Sequence, residues 1–175
     1  MRKVVLILLA LLIAVASTGC KEESPPVTRG RAPSPVDTDK EIGLLKEIIS
    51  KDPGNQQAWI KLGNISMDAR RYQEAIQAYQ KALEIDPDNV DVRVDMGTCY
   101  RNVGESEKAV EAYRKAISIN PEHANAHRNL AVVLAYDLGL KEEAAGEFEE
   151  YLRIMPNVPD AAVIKEEIAK LKGGK

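Results

Sequence analysis

Between residues 56 and 158 the apolar residues recur at steps of three and four, the spacing of a helix with one buried face. Trp59, Leu62, Gly63 and Ser66 lie along one such stripe. After a break at Arg70–Tyr72, the stripe Ala75, Tyr79 and Ala82 begins a second helix. A short proline segment then interrupts the pattern: DPGN at 52–55, DPDN at 86–89, NPEH at 120–123 and MPNV at 155–158. Proline has no N–H to continue a helix and pushes the residue before it out of the helical region. The pattern predicts pairs of helices separated by proline joints.

The pairs repeat. Pro53, Pro87, Pro121 and Pro156 are spaced 34, 34 and 35 residues apart. Ala75, Ala109 and Ala144 follow at 34 and 35, as do Tyr79, Tyr113 and Phe148. Leu62, Met96 and Leu130 keep 34 throughout, as do Gly63, Gly97 and Ala131. The extra residue of the third copy therefore falls between Ala131 and Ala144. Several independent columns sharing one period mark a repeat array, in which each unit buries its apolar face against the next.

WIKLG at 59–63, AIQAYQKALEIDP at 75–87 and AVEAYRKAISINP at 109–121 carry a resemblance to the tetratricopeptide repeat (TPR) family. The resemblance implies an all-α fold, a right-handed TPR solenoid of helical hairpins with capping helices. Its units would be 56–89, 90–123 and 124–158. Three departures from the family pattern stand out: Ser66 where tyrosine is usual, the extra residue of the third unit, and Tyr151 in place of the alanine matching Ala82 and Ala116. Upstream, Thr38 and Glu41 have the spacing of a capping box, and Ile42, Leu45 and Ile49 share one face. This predicts a half-repeat helix over 38–52 that covers one end of the stack. Downstream, Ala161, Ile164, Ile168 and Leu171 predict a capping helix over 159–172.

The first 19 residues have a different character. Arg2 and Lys3 precede an apolar run from Val4 to Ala16, shorter than the roughly 20 residues of a membrane span. Small residues follow, as in a secretory signal peptide. The segment ends STGC, which resembles the lipobox of bacterial lipoproteins, although Ser17 stands where leucine is usual. The resemblance implies lipid attachment at Cys20, a palmitate-type anchor. Two acyl chains hold a protein stably on a membrane. Residues 20–37 carry Pro25, Pro26, Pro33 and Pro35 among small and charged residues and read as an extended tether. Lys21 after the cysteine resembles outer-membrane sorting, so the expected location is the cell envelope, on the periplasmic face of the outer membrane in a Gram-negative host.

The charge balance of −3 contains no basic block and aromatics are few, so no nucleic-acid partner is expected. Cys20 and Cys99 form no disulfide framework. His123 and His127 are four apart, but no third ligand accompanies them, and ordinary polar residues at a joint explain them as well. Cys99 is read as a small half-buried residue. With no phosphate-binding glycine loop and two histidines, the chain is expected to be no enzyme, with no catalytic, metal-binding or cofactor-binding residues and no cofactor.

What remains is recognition. The packing stripe leaves one face of each first helix unused: Gln57, Ile60, Asn64 and Met67 in the first unit, then Asp91, Val94, Thr98 and Arg101, then Asn125, Arg128 and Val132. Resemblance to TPR proteins implies that this face lines a concave groove holding a protein or peptide partner. A TPR subtype that clamps C-terminal carboxylates uses lysine, arginine and asparagine there. Only Asn64 matches, and Asp91 and Asp95 would repel a carboxylate. The expected function is a membrane-anchored TPR scaffold lipoprotein that assists assembly of a cell-envelope complex. Similar membrane-tethered TPR proteins serve pilus secretin assembly, outer-membrane protein insertion and cytochrome c maturation. The alternative is a self-associating structural module of the envelope, a homo-oligomer.

Overall fold

A computed structural model describes residues 35–173. The signal segment 1–19, Cys20 and the tether up to residue 34 lie outside the described residues. Among the described residues there are eight α-helices and one π-helical segment: α1 Pro35–Lys51, α2 Gln56–Asp68, α3 Tyr72–Ile85, α4 Val90–Asn102, α5 Ser106–Ile119, α6 Ala124–Val132, the π segment Val133–Asp137, α7 Lys141–Ile154 and α8 Ala161–Gly173. The helices α2 with α3, α4 with α5 and α6 with α7 form hairpins, and each hairpin packs on the next. This is a right-handed solenoid of TPR hairpins.

The joints explain their sequence. Asp52, Asp86 and Asn120 each accept a hydrogen bond from the backbone N–H two residues on, an Asx turn. Asn55, Asn89 and His123 then cap the next helix, accepting from Ala58, Val92 and Ala126 N–H. An Asx turn, a proline that stops one helix and a cap that starts the next account for DPGN, DPDN and NPEH.

Close approach explains the small residues. Ala75, Ala82, Ala109, Ala116, Ala126 and Ala144 are fully buried. A Cβ on Gly97 would lie 2.7 Å from Tyr113 Cε1. Gly63 meets the ring of Tyr79 in the same way. Glycine is used there because the aromatic ring of the second helix lies against the backbone of the first.

The extra residue of the third unit sits in the π segment. Leu138 N–H donates to Val133 C=O, five residues back, at 3.1 Å. A π-turn absorbs one residue without breaking the helix, so α7 returns to register. Tyr151 joins the same buried cluster as Ile164, Ile168 and Leu171 of α8. The alanine of the inner repeats is replaced where the neighbour is the terminal helix.

Two expectations at the N-terminus change. α1 begins at Pro35, so residues 35–37 are helical rather than tether, because a proline suits the first helical position. Thr38 therefore lies inside the helix and is not its N-cap. The inner face of α1 is as expected, with Ile42, Leu45 and Ile49 buried against Ala58, Leu62 and Ala78.

Candidate functional site

The three first helices α2, α4 and α6 present their unused face in register. Gln57, Asp91 and Asn125 are all exposed, one per helix at the same repeat position. Asn64 and Arg128 are exposed as well, while Ile60, Met67, Thr98, Arg101 and Val132 are half-buried. Val94 is a correction: it is 5% exposed and belongs to the buried cluster that contains Ala109 and Leu130. Its side chain is spent on packing and is not available to a partner.

Several of the remaining residues are already engaged inside the chain. Tyr79 donates its hydroxyl hydrogen to Asn64 Oδ1 at 2.8 Å. One repeat on, Tyr113 and Thr98 share a hydroxyl–hydroxyl hydrogen bond at 3.1 Å. One further, the pair becomes Phe148 and Val132, both without a polar group. Each first helix thus supplies a partner suited to the aromatic tip of its own second helix, because a buried hydroxyl needs an acceptor and a phenyl ring does not. Asn64 keeps its amide hydrogens for other contacts.

Arg101 grips Asp137 with two bonds, Nε to Oδ2 at 2.6 Å and Nη2 to Oδ1 at 3.1 Å. Asp137 lies at the end of the π segment, so the inserted residue delivers a carboxylate that neutralises Arg101. Arg101, expected on the partner-binding face, is thus spent on a contact within the chain. Arg128 is held less closely, 3.8 Å from Asp160.

The middle of the face is acidic. Asp95 is half-buried on α4 and makes no hydrogen bond or ion pair among the described residues. Its carboxyl is pushed up to about 6 by burial, with the carboxylates of Asp91 and Asp68 adding to the rise. Asp91 accepts from His123 Nε2 at 2.9 Å. His123 Nδ1 is already the acceptor of the cap, so Nε2 is the nitrogen that carries the hydrogen.

Cys99 is fully buried rather than half-buried. Burial pushes its thiol up to about 12, away from the thiolate that reactivity requires. No cluster of three or more metal-ligating side chains occurs among the described residues.

A second repeating position was missed in the sequence. Trp59 Nε1, Arg93 Nη2 and His127 Nε2 each donate to the carbonyl of the joint proline six residues earlier, Pro53, Pro87 and Pro121. Three chemically unlike residues share one task, an N–H reaching back to tie a helix to its joint. The signal was available as a column of N–H donors spaced by 34, but their difference in residue type hides it.

Residues 40–160 match the family described as the cytochrome c-type biogenesis protein H TPR domain. The chain belongs to this TPR family, a class of protein-interaction scaffolds. Among solved structures it is similar to MamA, with 25% identity over 79% of this chain and 80% of that one and a TM-score of 0.73. A tetratricopeptide repeat protein from Parabacteroides merdae ATCC 43184 is 25% identical over 79% of this chain and 55% of that one, with a TM-score of 0.71. The TPR domain of Arabidopsis OM64 shares the fold at 18% identity, over 66% of this chain and 94% of that domain, with a TM-score of 0.62. No curated protein matches the chain in sequence.

Proposed function

We propose that this protein is a lipid-anchored adaptor of the cell envelope that holds a segment of a partner protein along the face shared by α2, α4 and α6. The observation that carries the binding reading is the register of exposed polar residues, Gln57, Asp91 and Asn125, on a face that the packing of the array leaves uncovered. The acidic centre at Asp91, Asp95 and Asp68 favours a partner with basic side chains there, since like charges repel. The apolar run ending at Cys20 supports the anchor. The description of the matched family, cytochrome c-type biogenesis, supports an envelope assembly role.

The test is capture of envelope proteins by the full chain. Truncating a central contact often costs more than about 1 kcal/mol, and rim changes cost little. Gln57→Ala with Arg128→Ala is expected to weaken capture about tenfold, with helical content unchanged. Glu149→Ala with Glu150→Ala, on α7, is the control and should change little. Loss of capture in the control pair with retention in the first pair would move the binding surface elsewhere.

A further inference from the structure

The three positions that reach back to the joint prolines allow the repeats to be compared with one another. In the third repeat, His127 Nε2 meets the Pro121 carbonyl and His127 Nδ1 meets Glu147 Oε2 at 2.6 Å. The third-repeat slot thus sets an imidazole between the joint carbonyl and a carboxyl group supplied by the second helix. Glu147 lies on the second helix of the same hairpin. Allowing for the extra residue, its counterpart in the second repeat is Ala112, 35 positions earlier.

In the second repeat the slot holds Arg93, with no carboxylate at 112. Arg93 reaches the Pro87 carbonyl through Nη2. Its Nε is buried and has no hydrogen-bond partner among the described residues. An unsatisfied buried donor is costly, more so on a charged group. Arg93 lines a cleft of about 550 Å³ between α4 and α5, with Tyr100, Lys108, Arg114, Lys115 and Glu111. Lys108 is paired with Glu105 at 2.8 Å, and Arg114 with Glu143 at 2.6 Å. The Lys115 ammonium has no ion pair among the described residues. Glu111 is the single carboxylate among the residues that line the cleft.

We infer that the cleft between α4 and α5 binds a carboxylate side chain of an acidic peptide segment, received by Arg93 and Lys115 in the place that Glu147 fills in the third repeat. The site is separate from the face of α2, α4 and α6 and has the opposite charge. A guanidinium and an ammonium converging on one carboxylate make short, charge-assisted hydrogen bonds. Lys108 and Arg114 are spent on Glu105 and Glu143, so the attraction rests on Arg93 and Lys115 and weakens with salt.

The experiment uses the full chain and an acetylated, amidated hexaglutamate as probe, followed by the Arg93 Nε–H resonance and by calorimetry. Saturable binding that shifts this resonance is expected. Lys115→Gln should weaken it about tenfold, and Glu111→Gln should strengthen it. Ala112→Glu, which supplies the carboxylate from within the chain, should abolish binding and raise the melting temperature. Gln57→Ala with Arg128→Ala should leave it unchanged, which separates this site from the adaptor face. Three results would overturn the inference. One is an Arg93 Nε–H that does not respond to millimolar peptide. Another is undiminished binding in both Lys115→Gln and Ala112→Glu. The third is acetate acting at the same concentration as the peptide, which would make this a free-anion site.

Discussion

Asp95 carries its carboxylate in surroundings unfavourable to charge. Its carboxyl sits at about 6 rather than at the ordinary 3.8, chiefly because of burial. A carboxyl raised in the folded state binds its proton more tightly there than in the unfolded chain, so ionising it opposes folding. The penalty is fully present above pH 6, shrinks as pH falls through that value and is gone below the ordinary carboxylate range. Asp95→Asn is therefore expected to stabilise the protein at pH 7 by about 1 kcal/mol, a figure reduced for the partial exposure of the side chain. Thermal melts of the two proteins should differ at pH 7 and converge near pH 3.5. A gain that persists undiminished at low pH would assign the effect to packing instead. A destabilising carboxylate in a face free of packing duties fits the pattern of sites that trade stability for binding.

At the scale of the helical hairpin, one turn and one contact govern the geometry. The turn joining the two helices needs a positive φ, found at Arg70 (60°), Gly104 (82°) and Gly139 (69°). Glycine adopts this conformation without penalty, and other residues meet a clash between Cβ and backbone. Arg70→Gly is expected to stabilise the first hairpin by about 1 kcal/mol. Gly97→Ala should act in the opposite direction, because its Cβ would press on the Tyr113 ring. Overpacking of this kind costs about 1–3 kcal/mol. Denaturant midpoints of the two variants check both signs. An unchanged midpoint for Gly97→Ala would mean that the ring moves aside freely, contrary to the burial of Tyr113 at 1% exposure.

At the scale of the whole molecule, the proposed anchor and the array are tested separately. Among the described residues, the buried clusters of α1–α8 begin at Ile42. Cys20→Ser is expected to move the protein from the membrane fraction to the soluble fraction and to leave partner capture by the array intact. Mass spectrometry of the wild-type chain should find acyl groups on Cys20. An unmodified Cys20 thiol on the mature chain would remove the anchor from the proposal. No helix among the described residues is long and apolar enough to cross a membrane.

The hairpins and the place of the extra residue were legible from the sequence alone. They follow from local rules, a 3.6-residue period and proline stops, repeated often enough to reinforce one another. Binding residues were less legible, because a side chain facing away from the packing stripe can still be consumed by a neighbour distant in sequence. Val94 reads as a groove residue by period but is closed over in the fold. Arg101 reads as a free cation, yet Asp137, 36 residues later, reaches it through a π-turn that spacing reveals only as one residue too many. The pairing of Asn64 with Tyr79, Thr98 with Tyr113 and Val132 with Phe148 is written in the chain. Only the packed hairpin shows that the first two pairs share a hydrogen bond. Sequence determined where the helices run and repeat, because those are short-range choices of backbone and burial. Tertiary structure decided which charges stay unpaired, because a charge is free or spent according to what folding brings beside it.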